Sequence, residues 1–336
     1  MLFRSGVHGP ILNWIRDFLT DRSQTVVLDG ACSEKSNVTS GVPQGTVLGP
    51  ILFLIFINDL PEYVSSSARL FADDCILYRK ISSPDDHNTL QDDLNSLQKW
   101  ESDWLLQFNP DKCETLHVTN KHKPIIQPYF IHNKPLKVAD SVKYLGVHIH
   151  KKLSWNTHVD QTTKKANSTC AFLRRNLPRA PTNIKKQCYT TFVRPILEYA
   201  SPVWDPHTDT NIKKLEAVQK RSARYVFNDY SRTSSVSAML HKLNWPSLQS
   251  RRENAKLILL FKLTHNLIAL PSHLLIPFDS LARGHSQRFI VPFARINAYK
   301  YSFYPSTIRS WNNLPPGVVM APTLQVFKTN LYSTGI

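Results

Sequence analysis

The sequence predicts an α+β protein. Its N-terminal part alternates short antiparallel strands with amphipathic helices, and its C-terminal part is mostly helical. Three observations predict this. Apolar residues recur at three- and four-residue spacing in some windows and alternate or cluster around turn residues in others. The 336 residues are 42% hydrophobic and 20% charged, enough apolar material for a core and too much for wholesale disorder. The charge is unevenly placed. Residues 1–150 hold 14 Lys/Arg and 17 Asp/Glu, residues 151–260 hold 20 and 7, and residues 261–336 hold 7 and 1. The net charge therefore runs −3, +13 and +6. At ~100–200 residues per domain the length implies two or three domains.

The elements follow in order. Ile11, Leu12, Trp14, Ile15, Phe18 and Leu19 fall on one helical stripe, so a helix runs to about Thr20. Gln24–Leu28 reads as a strand, Asp29-Gly30 as a turn and Lys35–Thr39 as the returning strand. Gly41-Val-Pro-Gln-Gly45 is a loop, and Pro50 opens an apolar helix that Asn58-Asp-Leu-Pro61 ends. Ala68–Tyr78 reads as strand, tight turn, strand around Asp73-Asp74. A helix from Pro84 carries Leu90, Leu94, Leu97, Trp100, Trp104 and Leu105, and Asn109-Pro110 stops it. Lys112–Val118 and Val142–Ile149 are strand-like. Helices are expected near 155–177, 182–200, 209–227 and 251–267, followed from about Ala269 by a Pro- and aromatic-rich tail of short helices and loops.

Composition excludes several classes. Five Cys with no CxxC pair exclude a disulfide scaffold, argue against structural zinc and suggest a reducing, intracellular compartment, nuclear or cytoplasmic unresolved. The longest apolar run, Ile51–Ile57, is far short of the ~18–20 residues of a membrane span. The first six residues lack the layout of a secretory signal. A net charge of +16 points first to nucleic acid. The basic pairs Lys164-Lys165, Arg174-Arg175, Lys185-Lys186, Lys213-Lys214, Lys220-Arg221 and Arg251-Arg252 are candidates to line a channel for a phosphate backbone, and each also suits a solvated helix face.

The chemistry-bearing signal is Phe71-Ala-Asp-Asp74. Adjacent carboxylates at a strand turn repel, and a divalent cation between them and substrate phosphates offsets the cost. Asp-Asp also occurs at 85–86 and 92–93, where an ordinary structural role is expected. Upstream, Ser40–Pro50 combines glycines and a proline in a rigid loop that can approach a nucleotide, with Gln44 available to hydrogen-bond. No Gly-x-Ser-x-Gly elbow accompanies the 13 His. Cys113, Cys188, Trp100 and Trp104 read as core, and His148 and His150 as a half-exposed strand.

Together these strings resemble the reverse transcriptase of non-LTR retrotransposons (LINE elements), notably the jockey and chicken-repeat type. Ser40–Pro61 resembles the block after the fingers–palm junction, and Phe71–Asp74 the catalytic palm hairpin. Trp104–Thr115 resembles the next palm block, and Tyr144–His150 the primer-grip hairpin. Lys185–Trp204 resembles the thumb region, and the segment containing Arg309–Pro315 the C-terminal extension. The resemblance implies a partial palm (antiparallel sheet plus helices) over 1–150, a basic helical thumb or connection over 151–268 and an extension over 269–336. It implies RNA-directed DNA polymerisation with RNA template, DNA primer and dNTP as partners and no membrane. Asp73 and Asp74 would be catalytic and metal-binding. Pro43, Gln44, Gly45 and Lys112 would border nucleotide and template, and Tyr144, Leu145 and Gly146 would hold the primer end.

The family's other catalytic aspartate sits in a motif of the kind Phe/Leu-Asp-x-x-Lys-Ala-Phe-Asp, which residues 1–40 do not reproduce. Asp17, Asp21 and Asp29 lie on a helix end and a turn. Leu2–Arg22 resembles the stretch after that motif, so the chain is expected to begin just past it, without the fingers or the endonuclease. Mg²⁺ or Mn²⁺ is then expected only in a complete polymerase site, with an upstream polymerase fragment as a candidate partner. The expectation for this chain alone is an inactive fragment, the alternative a catalytically dead nucleic-acid-binding remnant.

Overall fold

The computed structural model describes residues 6–278 and 285–334. It is helical over much of its length with short strands, in keeping with an α+β protein. Two compact units divide it: Met1–Thr115 with Lys121–Ala139, and Leu116–Asn120 with Asp140–Ile336.

In the first unit, α1 (Pro10–Leu19) starts with proline at its first turn, where no amide partner is lost. The strand expected over Gln24–Leu28 splits in two. β1 (Arg22–Gln24) pairs with β4 (Ser36–Val38), and β2 (Val27–Leu28) with β3 (Ala31–Cys32). Ser33 causes the split, because its hydroxyl accepts the Val26 N–H at 2.9 Å and offsets the two ladders. Asp29 (φ 48°) and Gly30 (φ 87°) make the expected turn. α2 (Leu48–Ile57) precedes the hairpin of β5 (Ser67–Phe71) and β6 (Asp74–Tyr78).

α3 (Pro84–Trp104) opens with a capping box between Ser83 and Asp86. Its Leu94, Leu97 and Trp100 pack with Ile57, Leu60, Tyr129 and Ile131, and the Trp100 indole donates to Asp59 at 3.0 Å. The expected strand Lys112–Val118 contracts to β7 (Glu114–Thr115). Pro110–Lys112 is a single 3₁₀ turn, capped by the Asn109 side chain accepting the Asp111 N–H at 3.0 Å. β8 (Phe130–Ile131) pairs with β9 (Lys134–Pro135), and β10 (Lys137–Val138) runs parallel to β7. Among the described residues every ladder is two-stranded. The antiparallel sheet expected of 1–150 is therefore resolved into separate short ladders, whose backbone groups pair locally.

The second unit begins with β11 (Ser141–Tyr144) and β12 (Val147–His150). The expected partition placed this hairpin with residues 1–150. Val147 is instead buried among the helices that follow, so the compact units divide at Ala139/Asp140. α4 (Asn156–Asn176) and α8 (Asp209–Phe227) match expectation. The helix expected over 182–200 is broken into α5 (Thr182–Cys188), a π turn (Tyr189–Val193) and α6 (Arg194–Glu198). Pro195 has no N–H to continue the ladder, which explains the irregular turn before it. Ala200 (φ 52°) redirects the chain into α7 (Ser201–Trp204).

α9 (Val236–Leu243), which periodicity did not reveal, starts at Ser235, whose hydroxyl accepts the Ala238 N–H. α10 (Leu248–Thr264) starts three residues earlier than expected because Ser247 caps it at 3.0 Å. The tail forms short helices as expected: α11 (Asn297–Lys300), α12 (Phe303–Asn312), α13 (Pro316–Val319) and α14 (Leu324–Ser333). α10, α12, α13 and α14 enclose a core of Phe261, Trp311 and Phe327. Residues 1–5, 279–284 and 335–336 of the expected segments lie outside the described residues.

His158 on α4 sits in the other core of this unit. Burial, then the neighbouring His148, lowers its pKa from 6.5 to about 4. Its Nδ1 accepts the His148 N–H at 3.2 Å, which puts the neutral ring's proton on Nε2, 3.3 Å from the Thr162 hydroxyl. Its ring centroid lies 4.7 Å from that of Trp204. The unfolded chain therefore takes up a proton that the folded ring resists. Stability from this residue is complete above about pH 6.5 and is lost as pH falls toward about 4. Urea midpoints measured across that window should fall less steeply in His158→Gln, and identical slopes would refute this assignment.

Candidate catalytic hairpin and nucleic-acid interface

The β5–β6 ladder is in register from Ser67↔Tyr78 to Phe71↔Asp74, which leaves Ala72 and Asp73 as a two-residue turn. Ala72 has φ 51°, a left-handed conformation that costs a non-glycine residue ~1–2 kcal/mol. The strain holds Asp73 and Asp74 side by side at an exposed tip, and neither carboxylate has an internal partner among the described residues. The Cys75 thiol behind them is pushed up to about 11 by burial and then by Cys113. Both Cys75 and Cys113 pack against the Trp100 core, and burial raises Cys113 in the same direction.

The other two Asp-Asp pairs serve the fold. Asp86 accepts the Ser82 and Ser83 N–H groups at 2.8 and 3.0 Å, which together with Arg79 hold its carboxyl near 2. Buried Asp93 accepts the Ser65 and Ser66 N–H groups at 2.8 and 2.9 Å. Burial raises its pKa, and the Ser65–Ser66 hydrogen bonds outweigh that and lower it.

The Ser40–Pro50 loop is rigid for reasons the structure makes specific. Gly41 (φ 74°) and Gly45 (φ 78°) take left-handed conformations. The Thr46 hydroxyl donates to Pro43 O at 2.9 Å and accepts the Gly49 N–H at 3.1 Å. A Cβ on Gly49 would lie 3.0 Å from that same carbonyl. Arg22 ties the loop down, donating to Leu19 O at 2.9 Å and Gly41 O at 2.7 Å. Pro43 is half-buried, whereas Gln44 and Gly45 are exposed and free to meet a ligand. Lys112 is exposed on the 3₁₀ turn. Arg22 and Thr46 escaped sequence reasoning because a helix end and a lone Thr carry no motif.

In the second unit, Leu145 (φ 44°) and Gly146 (φ 79°) form the turn between Tyr144 and Val147. Tyr199 clamps that turn. Its hydroxyl donates to Leu145 O at 3.1 Å, and a Cβ on Gly146 would lie 3.2 Å from its ring. Two strings noted separately in the sequence, Tyr144–His150 and Lys185–Trp204, therefore meet. Asp73 and Asp74 belong to one unit and Tyr144–Gly146 to the other.

The basic pairs separate into two kinds. Lys185 is buried and donates to Pro178 O at 2.8 Å. Arg251 pairs with Glu198, and fully buried Arg252 with Asp205 at 2.7 Å. These three are structural and do not line a channel. Lys164, Lys165, Arg174 and Arg175 on α4, with Lys213, Lys214, Lys220 and Arg221 on α8, are exposed. α4 and α8 run parallel, since Asn156–Asn211, Asp160–Lys214 and Asn167–Arg221 pair in rising order. Most acids of this region are engaged internally. Asp160, Glu198 and Asp205 are in ion pairs, Glu216 accepts the Gln249 N–H, Asp229 the Ser231 N–H and Glu253 the Ser310 hydroxyl. Apart from Lys214, which pairs with Asp160, the exposed Lys and Arg thus remain a largely uncompensated field along α4 and α8.

Among the described residues no three His, Cys, Asp or Glu side chains converge to hold a metal ion. Asp73 and Asp74 offer carboxylate oxygens of the type a hard divalent cation takes, but they are only part of a donor set.

The reverse transcriptase (RNA-dependent DNA polymerase) family matches residues 2–149. The chain is similar to a probable RNA-directed DNA polymerase from transposon X-element of Drosophila melanogaster, with 28% identity over 65% of this chain and 25% of that one. A probable RNA-directed DNA polymerase from transposon BS of the same species is 29% identical over the same shares. The RNA-directed DNA polymerase from its mobile element jockey is 25% identical over 71% of this chain and 27% of that protein. The chain thus spans about a quarter of the length of the curated relatives it matches.

Proposed function

We propose that residues 2–149 are a reverse-transcriptase segment of the non-LTR retrotransposon kind, and that the chain is the catalytic-hairpin and thumb-side portion of an RNA-directed DNA polymerase, inactive without the family's other aspartate motif. The observation that carries this reading is the strained Ala72 turn, which displays Asp73 and Asp74 at an exposed tip with no internal role to explain them.

In a complete site the primer 3′-hydroxyl oxygen attacks the α-phosphate of a dNTP and pyrophosphate leaves. Divalent cations supply charge stabilisation at both oxygens when bound. Within this chain Asp73 and Asp74 contribute carboxylates. Pro43, Gln44, Gly45 and Lys112 border nucleotide and template, and Tyr144, Leu145 and Gly146 position the primer end. Residues 1–150 serve as palm, 151–268 as thumb with its basic α4–α8 surface, and 269–336 as an extension.

A second observation supports an upstream partner. The first unit leaves Ile11, Trp14, Val27, Leu28, Val47, Ile51, Leu54 and Phe71 exposed, apolar side chains that a partner segment would cover. Primer extension on an RNA template tests the reading. The 336 residues alone should give no product. The same residues preceded in one polypeptide by a segment carrying the aspartate motif should extend the primer. Extension by the chain alone would overturn the dependence. A folded longer polypeptide that binds primer–template without extending it would favour the catalytically dead nucleic-acid binder.

A further inference from the structure

The second unit contains a cavity of about 280 Å³ that none of the polymerase residues lines. Its walls come from the turn after β12, the start of α4, the start of α8 and the region of α11. It lies near the lower bound of ligand pockets, ~300–1,000 Å³, a size that admits one nucleoside rather than a duplex.

The lining has a particular chemistry. His207 and Tyr301 lie face to face, ring centroids 4.1 Å apart and planes 3° from parallel, and Trp155 adds a third aromatic. Lys152 is exposed at the rim with no carboxylate partner among the described residues. Lys300 lies 5.4 Å from the Tyr301 ring centroid. Asn156 and Asn297 present amides, and buried Asn211 holds Asn156 by donating to its carbonyl at 2.7 Å.

Leu153, also in the wall, is held at φ 52°, a conformation unfavourable for a leucine. Its N–H donates to His150 O at 2.7 Å, and the Lys152 N–H reaches His150 Nδ1 at 3.2 Å. The His150 side chain and backbone thus fix the turn that carries Lys152. A strained turn that presents a cation beside an aromatic stack is not needed to close a β-hairpin.

Aromatic rings that extend a stack, amides that read a base edge and an ammonium for a phosphate are together the chemistry of an unpaired nucleotide. We propose that this cavity binds one unstacked base of single-stranded nucleic acid, with its phosphate at Lys152 and its base against the His207–Tyr301 stack. The inference rests on the nucleic-acid reading above, and it adds a single-strand site at the N-terminal ends of α4 and α8 that none of their exposed Lys or Arg pairs lines.

Fluorescence anisotropy on the full chain tests it with three probes: an RNA–DNA hybrid, a single-stranded RNA of the same length, and that RNA with abasic positions. His207→Ala and Tyr301→Ala should each weaken single-strand binding by about tenfold, the loss of one stacked base, and leave hybrid affinity unchanged. Tyr301→Phe keeps the ring and should bind as the parent does, which separates stacking from folding. Abasic RNA should bind the parent as weakly as intact RNA binds His207→Ala. Competition by adenosine monophosphate at millimolar concentration would identify a free nucleotide as an equivalent source of the same ligand chemistry.

Equal affinities across these variants with hybrid binding intact would overturn the pocket and leave the nucleic-acid reading standing. No binding of either the hybrid or the single-stranded RNA at low salt would overturn both.

Discussion

Asp205→Ala should destabilise the second unit by about 3–5 kcal/mol, the cost of leaving a buried cation without its partner. Asp205 follows α7 and faces α10. One oxygen accepts Arg252 Nε at 2.7 Å, and the other lies 2.7 Å from Lys256 Nζ. The Arg252 side chain is fully buried, with its two terminal nitrogens unpartnered, and Lys256 is nearly buried. One carboxylate therefore balances two cations one helical turn apart. Removing it leaves both charges in a low-dielectric core. Urea midpoints should drop, and amide exchange across α10 should accelerate more than across α3. Adding Arg252→Met and Lys256→Met to Asp205→Ala should recover most of the loss, because apolar replacements of a buried charged group are often neutral. An Asp205→Ala protein as stable as the parent would show that water reaches the site.

That network was not legible in the sequence. Arg251-Arg252 read as one of six basic pairs, and nothing local distinguishes a solvated arginine from a fully buried one. The distinction depends on Asp205, 47 residues away. What was legible followed from local physics. Asp29-Gly30 specifies its turn through two positive φ values, and the period of α3 marks Leu94, Leu97 and Trp100 as core. The Phe71–Asp74 hairpin is encoded within a few residues. The misreadings came where a nearby hydroxyl, or a missing amide, overrides an apolar pattern. Ser33 splits the first hairpin, Pro195 breaks the helix expected over 182–200, and Ser235 and Ser247 start helices that apolar periodicity alone left unmarked or late. At the candidate site the motifs stand out in the sequence and the contacts that support them do not. Arg22, Thr46 and Tyr199 hold its loops through backbone carbonyls and turns, contacts that leave no motif.

The three Asp-Asp pairs predict a separation of activity from stability. In a polypeptide that carries the family's other aspartate motif, Asp73→Ala should lower primer extension by about 10³-fold or more, the several kcal/mol that charge stabilisation at the reacting phosphate supplies. Its urea midpoint should stay at the parent value, because the exposed Asp73 carboxylate satisfies no donor among the described residues. Asp93→Ala should do the reverse. It strands the N–H groups of Ser65 and of buried Ser66 and should cost about 1–3 kcal/mol, while the protein that remains folded extends primers at the parent rate. Asp86→Ala should resemble Asp93→Ala in kind, since it loses the α3 capping box. Asp74→Ala tests whether both tip carboxylates act. An activity loss with unchanged stability would place it with Asp73. If Asp73→Ala lowered the midpoint as far as Asp93→Ala does, the strain at Ala72 would be serving the fold, and the hairpin would lose its claim as a catalytic tip.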